Sequence, residues 1–213
     1  MNQNPYQFIA VEGTIGAGKT SLATMIANDF NAKLILEQFE DNAFLPKFYE
    51  DQDKYAFPLE MSFMASRFQQ LKDQLGTHDM FKSFVIADYY VAKSLIFARK
   101  TLKPDEFNLF NRFFHLIDIS LPKPDLLVYL YLEVDKLQQN IRKRGRSYEQ
   151  QIKDEYLGSI QQGYFEFIRQ QQDMRILLID TNQIDFVASK RQYHKLLDAI
   201  FKEYPVGVHR ITF

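Results

Sequence analysis

The chain has no cysteine and no tryptophan, and only eight glycines and seven prolines in 213 residues. The missing thiols exclude disulfides and thiolate metal sites and suit a reducing compartment. So few glycines and prolines leave no tract that reads as a linker or a low-complexity segment, so a single domain over residues 1–213 is expected. No apolar run reaches the length of a bilayer span. Met1-Asn2-Gln3-Asn4-Pro5 lacks the basic-then-apolar order of a secretory signal, so the expected location is the cytoplasm with no membrane partner. Neither sign of charge dominates: 26 Lys and Arg against 27 Asp and Glu leave a net charge of -1. No global field therefore draws a nucleic acid polymer, and an anionic ligand must be gripped by a local cluster of donors.

What is abundant is Phe, with 20, and Tyr, with 12. Most of these rings read as core, and a minority could line a slot for a flat ligand. Five short apolar runs read as buried strands: Phe8–Val11, Lys33–Leu36, Phe84–Ala87, Leu126–Leu132 and Arg175–Ile179. They are continuous rather than alternating, as strands of a parallel sheet covered on both faces are. Helical patterns separate them at about 19–29, 42–53, 57–76, 89–119 with a break near Lys103-Pro104, 135–144, 148–172 and 186–203. This alternation predicts an α/β fold, a five-stranded parallel sheet flanked by helices.

Between the first strand and the first helix lies Gly13-Thr14-Ile15-Gly16-Ala17-Gly18-Lys19-Thr20. The pattern Gly-x4-Gly-Lys-Thr arises by chance in a chain this long about once in a hundred, and the strand–loop–helix setting is the confirming one. Glycines let backbone N–H groups converge on phosphate oxygens, and the helix N-terminus adds partial positive charge. Lys19 is expected on the β- and γ-phosphates of ATP, and the Thr20 hydroxyl on Mg²⁺. The architecture is thus expected to be of the P-loop type, and the loop alone does not separate a kinase from a GTPase or a motor; the nucleoside- or nucleotide-kinase-like form is what an Arg-rich lid and a family resemblance imply. A guanine-reading Asn-Lys-x-Asp stretch is absent, which argues against a GTPase. Arg142-Lys143-Arg144-Gly145-Arg146, within a lid at about 140–150, supplies guanidinium groups for a transferring phosphoryl group; alone the cluster would read as a solvated basic helix end, and the phosphate loop upstream reverses that preference. His78, His115, His194 and His209 are scattered, and no metal site built from protein ligands is expected.

At this level of detail the chain resembles the deoxyribonucleoside kinase family, in particular bacterial deoxyadenosine and deoxyguanosine kinases. The resemblance runs through ordered motifs. Glu37 follows the second strand, where the family keeps the general base for the nucleoside 5′-hydroxyl. Tyr49-Glu50 is similar to a Tyr-Glu pair whose Tyr meets the sugar 3′-hydroxyl. Glu60 falls where most of the family has a base-reading Gln, and Arg67 matches an Arg of the base pocket. Asp88 lies where an Asp/Glu-Arg-Ser motif begins, within reach of Mg²⁺ through water. Arg144-Gly145-Arg146-Ser147-Tyr148-Glu149-Gln150 looks like the lid, with Glu149 in the place of a Glu near the 3′-hydroxyl. Leu178-Ile179-Asp180-Thr181-Asn182 resembles the segment that passes the adenine of ATP. The resemblance implies transfer of the ATP γ-phosphoryl group to a deoxyribonucleoside, with Glu37, Lys19 and Arg144 catalytic, and it implies a homodimer through paired helices.

Elementary chemistry supports parts of this. A 5′-hydroxyl attacking a γ-phosphoryl group needs a carboxylate to take its proton late in transfer, and Glu37 at the carboxyl end of a strand can reach that crevice. Alone, Glu37 would read as a loop residue, Tyr49 as core, and Asp88 equally as a helix N-cap. Arg67 lies on the apolar face near Phe63, Met64 and Phe68 and needs a partner. Glu60, seven residues earlier, is one possibility as a structural pair. Two departures from the family stand out: the Arg-Ser positions after Asp88 read Tyr89-Tyr90, and the first lid Arg reads Asn140, for which Arg142 or Lys143 could compensate. Ionised Glu60 offers acceptors only, which favours a base presenting an amine, and the resemblance points to deoxyadenosine above other purines. Two alternatives remain open: a nucleoside monophosphate (thymidylate-like) kinase, for which the segment after Glu37 supplies mainly Lys47 as extra cation, and a non-catalytic ATP-binding regulatory module.

Overall fold

Phe8-Ile9-Ala10-Val11-Glu12-Gly13 forms the central strand β1, buried at every residue. The structure is a computed structural model that describes residues 4–38, 42–77 and 79–213. Around β1 stand β2 (Lys33–Ile35), β3 (Val85–Ala87), β4 (Leu126–Tyr131), β5 (Arg175–Asp180) and β6 (Gly207–Thr212), in the order β2-β3-β1-β4-β5-β6. Every neighbouring pair is parallel, with Ala10 opposite Ala87 on one side and Leu127 on the other. The carboxyl ends of β1, β2 and β3 therefore open on one edge of the sheet, where ligands of such folds sit.

The sheet has six strands, which corrects the expected five. Gly207-Val208-His209-Arg210-Ile211-Thr212 alternates half-buried and exposed residues along an edge, so it lacks the continuous apolar run that marks the inner strands.

Helices cover both faces. On one, α1 (Lys19–Phe30), α6 (Val134–Arg144) and α8 (Lys190–Ile200) pack Leu22, Ile26, Leu137, Ile141, Leu196 and Ile200 against Ile9, Val11 and Ile179. On the other, α3 (Gln52–Leu75), α4 (Ala92–Thr101), α5 (Pro104–Asp118) and α7 (Asp154–Gln170) bring Met64, Leu71, Ile96, Phe97, Phe110 and Tyr164 onto Ala10, Ala87, Tyr129 and Ile176. A smaller cluster joins Phe48 of α2 (Leu45–Glu50) to Ala56, Leu59 and Phe63 of α3. Among the described residues, no helix is long and apolar enough to cross a membrane.

Several helix limits differ from the sequence expectation for local reasons. The helix expected at 42–53 is the short α2, and the one expected from residue 57 begins at Gln52, because the Asp51 side chain caps it by accepting from the Lys54 N–H at 3.2 Å. Pro58 thus lies inside α3, where it forfeits one backbone bond. The expected 148–172 helix is a 3-10 turn, Ser147–Glu149, followed by α7. The expected 89–119 helix starts only at Ala92, because Asp88–Val91 form a bend whose polar groups are engaged elsewhere.

Candidate active site

The phosphate loop runs from the end of β1 into α1. Gly16 and Gly18 hold φ at 87° and 88°, a left-handed backbone that favours glycine. A Cβ on Gly16 would stand 2.7 Å from the Leu137 carbonyl, and one on Gly18 2.9 Å from the Phe186 ring, so both positions need hydrogen for space as well. Lys19 Nζ donates to the Thr14 carbonyl at 3.0 Å. Burial, and then repulsion from Lys93, lower the Lys19 ammonium to about 8. Asn140, at the position of the family's first lid Arg, donates through Nδ2 to the Gly16 carbonyl at 2.8 Å and so braces the loop itself.

Asp88, buried at the tip of β3, ties the loop to the second strand. Its Oδ2 accepts from Thr20 Oγ1 at 2.5 Å and its Oδ1 accepts from the Glu37 backbone N–H at 2.8 Å. It does not cap α4, whose first turn has no side-chain cap. The bend after it is anchored by Glu12 of β1, whose Oε1 accepts from the Tyr90 N–H at 2.7 Å and whose Oε2 accepts from Tyr164 Oη at 2.7 Å.

Glu37 is enclosed by two cations. Arg67 donates from Nε to Oε1 at 2.8 Å, with Nη2 at 2.7 Å from the same oxygen, and Lys93 Nζ lies 2.5 Å from Oε2. Arg67 Nη1 donates to Ser94 Oγ at 2.8 Å. Burial alone would push the Glu37 carboxyl up, but the Lys93 and Arg67 charges outweigh it and hold it at about 2. The Glu60–Arg67 structural pair expected as one possibility forms no hydrogen bond: the guanidinium turns to Glu37, although its charge is still felt at the Glu60 carboxyl. Glu60 Oε1 accepts from Thr101 Oγ1 at 3.0 Å, its Oε2 has no hydrogen-bond partner, and burial pushes its carboxyl up to about 7.

Glu60, Arg67, Glu37, Lys93, Asp88, Thr20, Lys19 and Ile15 line one cavity, with Phe63, Phe97 and Tyr156 as its aromatic walls. Tyr49 closes one side and stacks on Tyr148 of the lid, with ring centroids 6.1 Å apart and an interplanar angle of 21°. Arg144, Arg146 and Glu149 complete the lining. Arg144 Nε and Nη2 reach Glu149 Oε2 at 3.0 and 2.5 Å, and Arg146 Nη1 reaches Oε1 at 3.3 Å. Arg142 is exposed and does not line the cavity. Asp180 Oδ1 accepts from the Asn182 N–H and Nδ2, and the residue lines a separate groove with Tyr131, Arg169 and Arg210. Among the described residues no three His, Asp or Glu side chains gather as a metal site, and His78 lies outside those residues.

The sequence reading missed Lys93, Glu12 and Tyr164. Lys93 carried a usable signal: a lysine flanked by Ala92, Ser94, Ile96 and Phe97 on the buried side of a helix needs a partner. Glu12 sits inside an apolar strand and could have been questioned in the same way.

The family model for deoxynucleoside kinases matches residues 9–204. A Bacillus subtilis deoxyguanosine kinase is 39% identical over 92% of this chain and 96% of its own length. A Dictyostelium discoideum deoxyadenosine kinase is 31% identical over 76% of this chain and 66% of its own. The solved structure of an M. mycoides deoxyadenosine kinase, with the products dCMP and dCDP bound, superposes with a TM-score of 0.78 at 25% identity, covering 90% of this chain and 97% of that one. A phosphate loop facing a buried carboxylate, in a chain so matched, belongs to the deoxynucleoside kinase family, whose members transfer a phosphoryl group from ATP to a deoxynucleoside.

Proposed function

We propose that the acceptor is a purine deoxynucleoside, bound with its base against Glu60 and its 5′-hydroxyl toward Glu37. The observation that carries this is the Glu60 side chain, with one oxygen held by Thr101 and the other unpartnered. Ionised, it offers two acceptors and matches the adjacent N1–H and N2–H₂ of guanine. Protonated, it offers one donor and one acceptor and matches N1 and N6–H₂ of adenine. A carboxyl lifted to about 7 holds both forms near neutrality, which fits relatives named for deoxyguanosine and for deoxyadenosine. Deoxyadenosine, the sequence expectation, remains one of the two substrates.

In this reading, ATP phosphates lie on the N–H groups of residues 13–20 with Lys19 beside them. Thr20 and Asp88 form a hydroxyl–carboxylate pair of hard oxygen donors, a set that suits Mg²⁺, which keeps most of its waters. That ion would neutralise phosphate charge. Tyr49 and Glu149 flank the sugar, and Arg144 and Arg146 close over the phosphates. Glu37 takes the 5′-hydroxyl proton. Its low basicity suits the task, because the proton leaves late, once the 5′-oxygen is bonding to phosphorus and has become strongly acidic. Asp180 beside Asn182 and the exposed Arg142 are weaker members of the ATP site, since neither lines this cavity.

Leu109, Phe113, Leu116 and Ile119 stand exposed along one side of α5 and its end. Such a stripe supports a homodimer through paired helices. The chain works as one domain, with residues 140–150 as its lid, and a cysteine-free chain suits the cytoplasm, where we place it.

The test is ADP release with each deoxynucleoside and each monophosphate as acceptor. Higher kcat/KM for deoxyadenosine and deoxyguanosine than for thymidine is expected. Turnover on thymidine equal to that on the purines would contradict the base assignment, and turnover on monophosphates alone would contradict the acceptor.

A further inference from the structure

We propose that Lys93 supplies the cation this chain lacks at Tyr89, holding the Glu37 carboxylate in the resting site and facing the phosphoryl group as it transfers. The inference rests on the reading of Glu37 as the base.

Tyr89 and Tyr90 cannot serve. The Tyr89 side chain is fully buried and its hydroxyl donates to Gln70 Oε1 at 2.7 Å, while Gln70 Nε2 donates to the Leu36 carbonyl at 2.8 Å. That chain of bonds braces the end of β2 just before Glu37. The Tyr90 hydroxyl goes to Asp118 at 3.4 Å, away from the cavity.

Four residues after Tyr89, the first turn of α4 returns a side chain to the same crevice. Lys93 is 6% exposed, a degree of burial that lysine reaches almost only when paired. Its ammonium meets Glu37 Oε2, lies 5.6 Å from the Phe97 ring centroid, and lines the cavity that Lys19 and Thr20 also line. Its charge is felt at the phosphate-loop lysine as well, where it is the largest influence after burial. One ammonium therefore adjoins both the base and the phosphate grip.

The transfer is balanced without moving a proton from Lys93. The 5′-oxygen bonds the γ-phosphorus as the bond from that phosphorus to the β,γ-bridging oxygen breaks. The electron pair leaves with ADP and the 5′-hydroxyl proton passes to Glu37. Neutral Glu37 no longer claims the ammonium, whose charge then falls to the phosphoryl oxygens, a fixed charge aimed where negative charge develops.

The titratable and charged groups around Glu37 and Lys93 are Arg67 and Glu60 from α3, Lys19 from α1, Glu12 from β1, Asp88 and Tyr89 after β3, Tyr164 from α7, and Arg144, which lines the same cavity. Removing Lys93 leaves burial opposed mainly by Arg67, so the Glu37 carboxyl must rise.

The experiment compares Lys93→Met, Lys93→Gln and Lys93→Arg with the wild type, reading kcat, both KM values and the pH profile of kcat at saturating nucleoside. Lys93→Met and Lys93→Gln are expected to lose about a hundredfold in kcat, with a much smaller change in nucleoside KM. Their acid limb is expected to move up by at least about one pH unit, and Lys93→Arg to recover most of both. A kcat within about threefold of wild type in either neutral variant, or an unmoved acid limb, overturns the inference. If Met prevents folding, Gln and Arg carry the same criteria. Failure here is distinct from failure of the underlying reading, which would show as normal turnover in a Glu37→Gln variant.

Discussion

Arg67 Nη2 stands 2.7 Å from Glu37 Oε1 and fastens a loop carboxylate to the middle of a long helix. Both side chains are nearly excluded from water, at 5% and 11% exposure. The residue proposed as the base is thus held by a rigid element, although it lies just past the end of a three-residue strand.

Arg67→Met should therefore cost stability as well as activity. It leaves Glu37 with Lys93 alone and strips the Ser94 hydroxyl of its donor. Breaking a buried pair by removing one partner typically costs about 3–5 kcal/mol. A urea unfolding series should show that loss, and a midpoint unchanged from wild type would mean that the pair adds nothing to the fold.

If Glu60 reads the base, as proposed, base choice depends on pH. As pH rises through about 7 the carboxyl ionises, so the ratio of kcat/KM for deoxyadenosine to that for deoxyguanosine should fall. In Glu60→Gln the ratio should become flat across the same range. A wild-type ratio that does not change between pH 6 and 8 (roughly one unit either side of the midpoint) would exclude Glu60 as the reader of the base.

The same group leaves a mark on stability. Its carboxyl is raised in the folded state from 4.5 to about 7, so in that window the folded chain keeps a proton that the unfolded chain has released. Stability must then fall as pH rises across the window, by an amount on the order of 3 kcal/mol at most. Glu60→Gln should flatten that part of the profile, as measured by thermal unfolding at successive pH values.

Much of this was legible in the sequence, for reasons that particular residues make plain. Phe8–Val11 is a continuous apolar run ending in a glycine-rich loop, and period and composition agree there. Glu37, Asp88 and Glu149 sit at motif positions that survive as single letters. Edge strand β6 was hidden because Gly207–Thr212 alternates half-buried and exposed residues and lacks the unbroken apolar run of the inner strands. The partner of Arg67 was hidden for a different reason. Glu60 shares its helix, and local spacing favours it, but the crevice brings in Glu37 from thirty positions away. Lys93 was lost inside a helical pattern that read as starting at residue 89, because the bend at Asp88–Val91 is held by bonds to Glu12, Thr20, Ile35 and Glu37, all distant in sequence.

Asp88→Asn should weaken the Thr20 end of the site. One amide oxygen can still accept from the Glu37 N–H, but the carboxylate opposite Thr20 is lost. The Mg²⁺ concentration for half-maximal rate should rise about tenfold, the scale of a lost partner next to a metal ligand, while nucleoside KM changes less. An unchanged Mg²⁺ requirement would remove Asp88 from the ion's surroundings.

Leu116→Asp tests the assembly, since Leu116 is 73% exposed on the apolar side of α5. The wild type should sediment as a dimer and the variant as a monomer with intact secondary structure. Identical sedimentation would place any interface elsewhere.

The central claim is that Glu37 takes the proton of a deoxynucleoside 5′-hydroxyl while residues 13–20 hold the ATP phosphates. Its most direct test is the kcat of Glu37→Gln with deoxyguanosine and deoxyadenosine, alongside ATP affinity measured by titration. The expected result is a loss of about a hundredfold or more in kcat, with ATP bound nearly as well as by the wild type. A near-normal kcat on both nucleosides would contradict it.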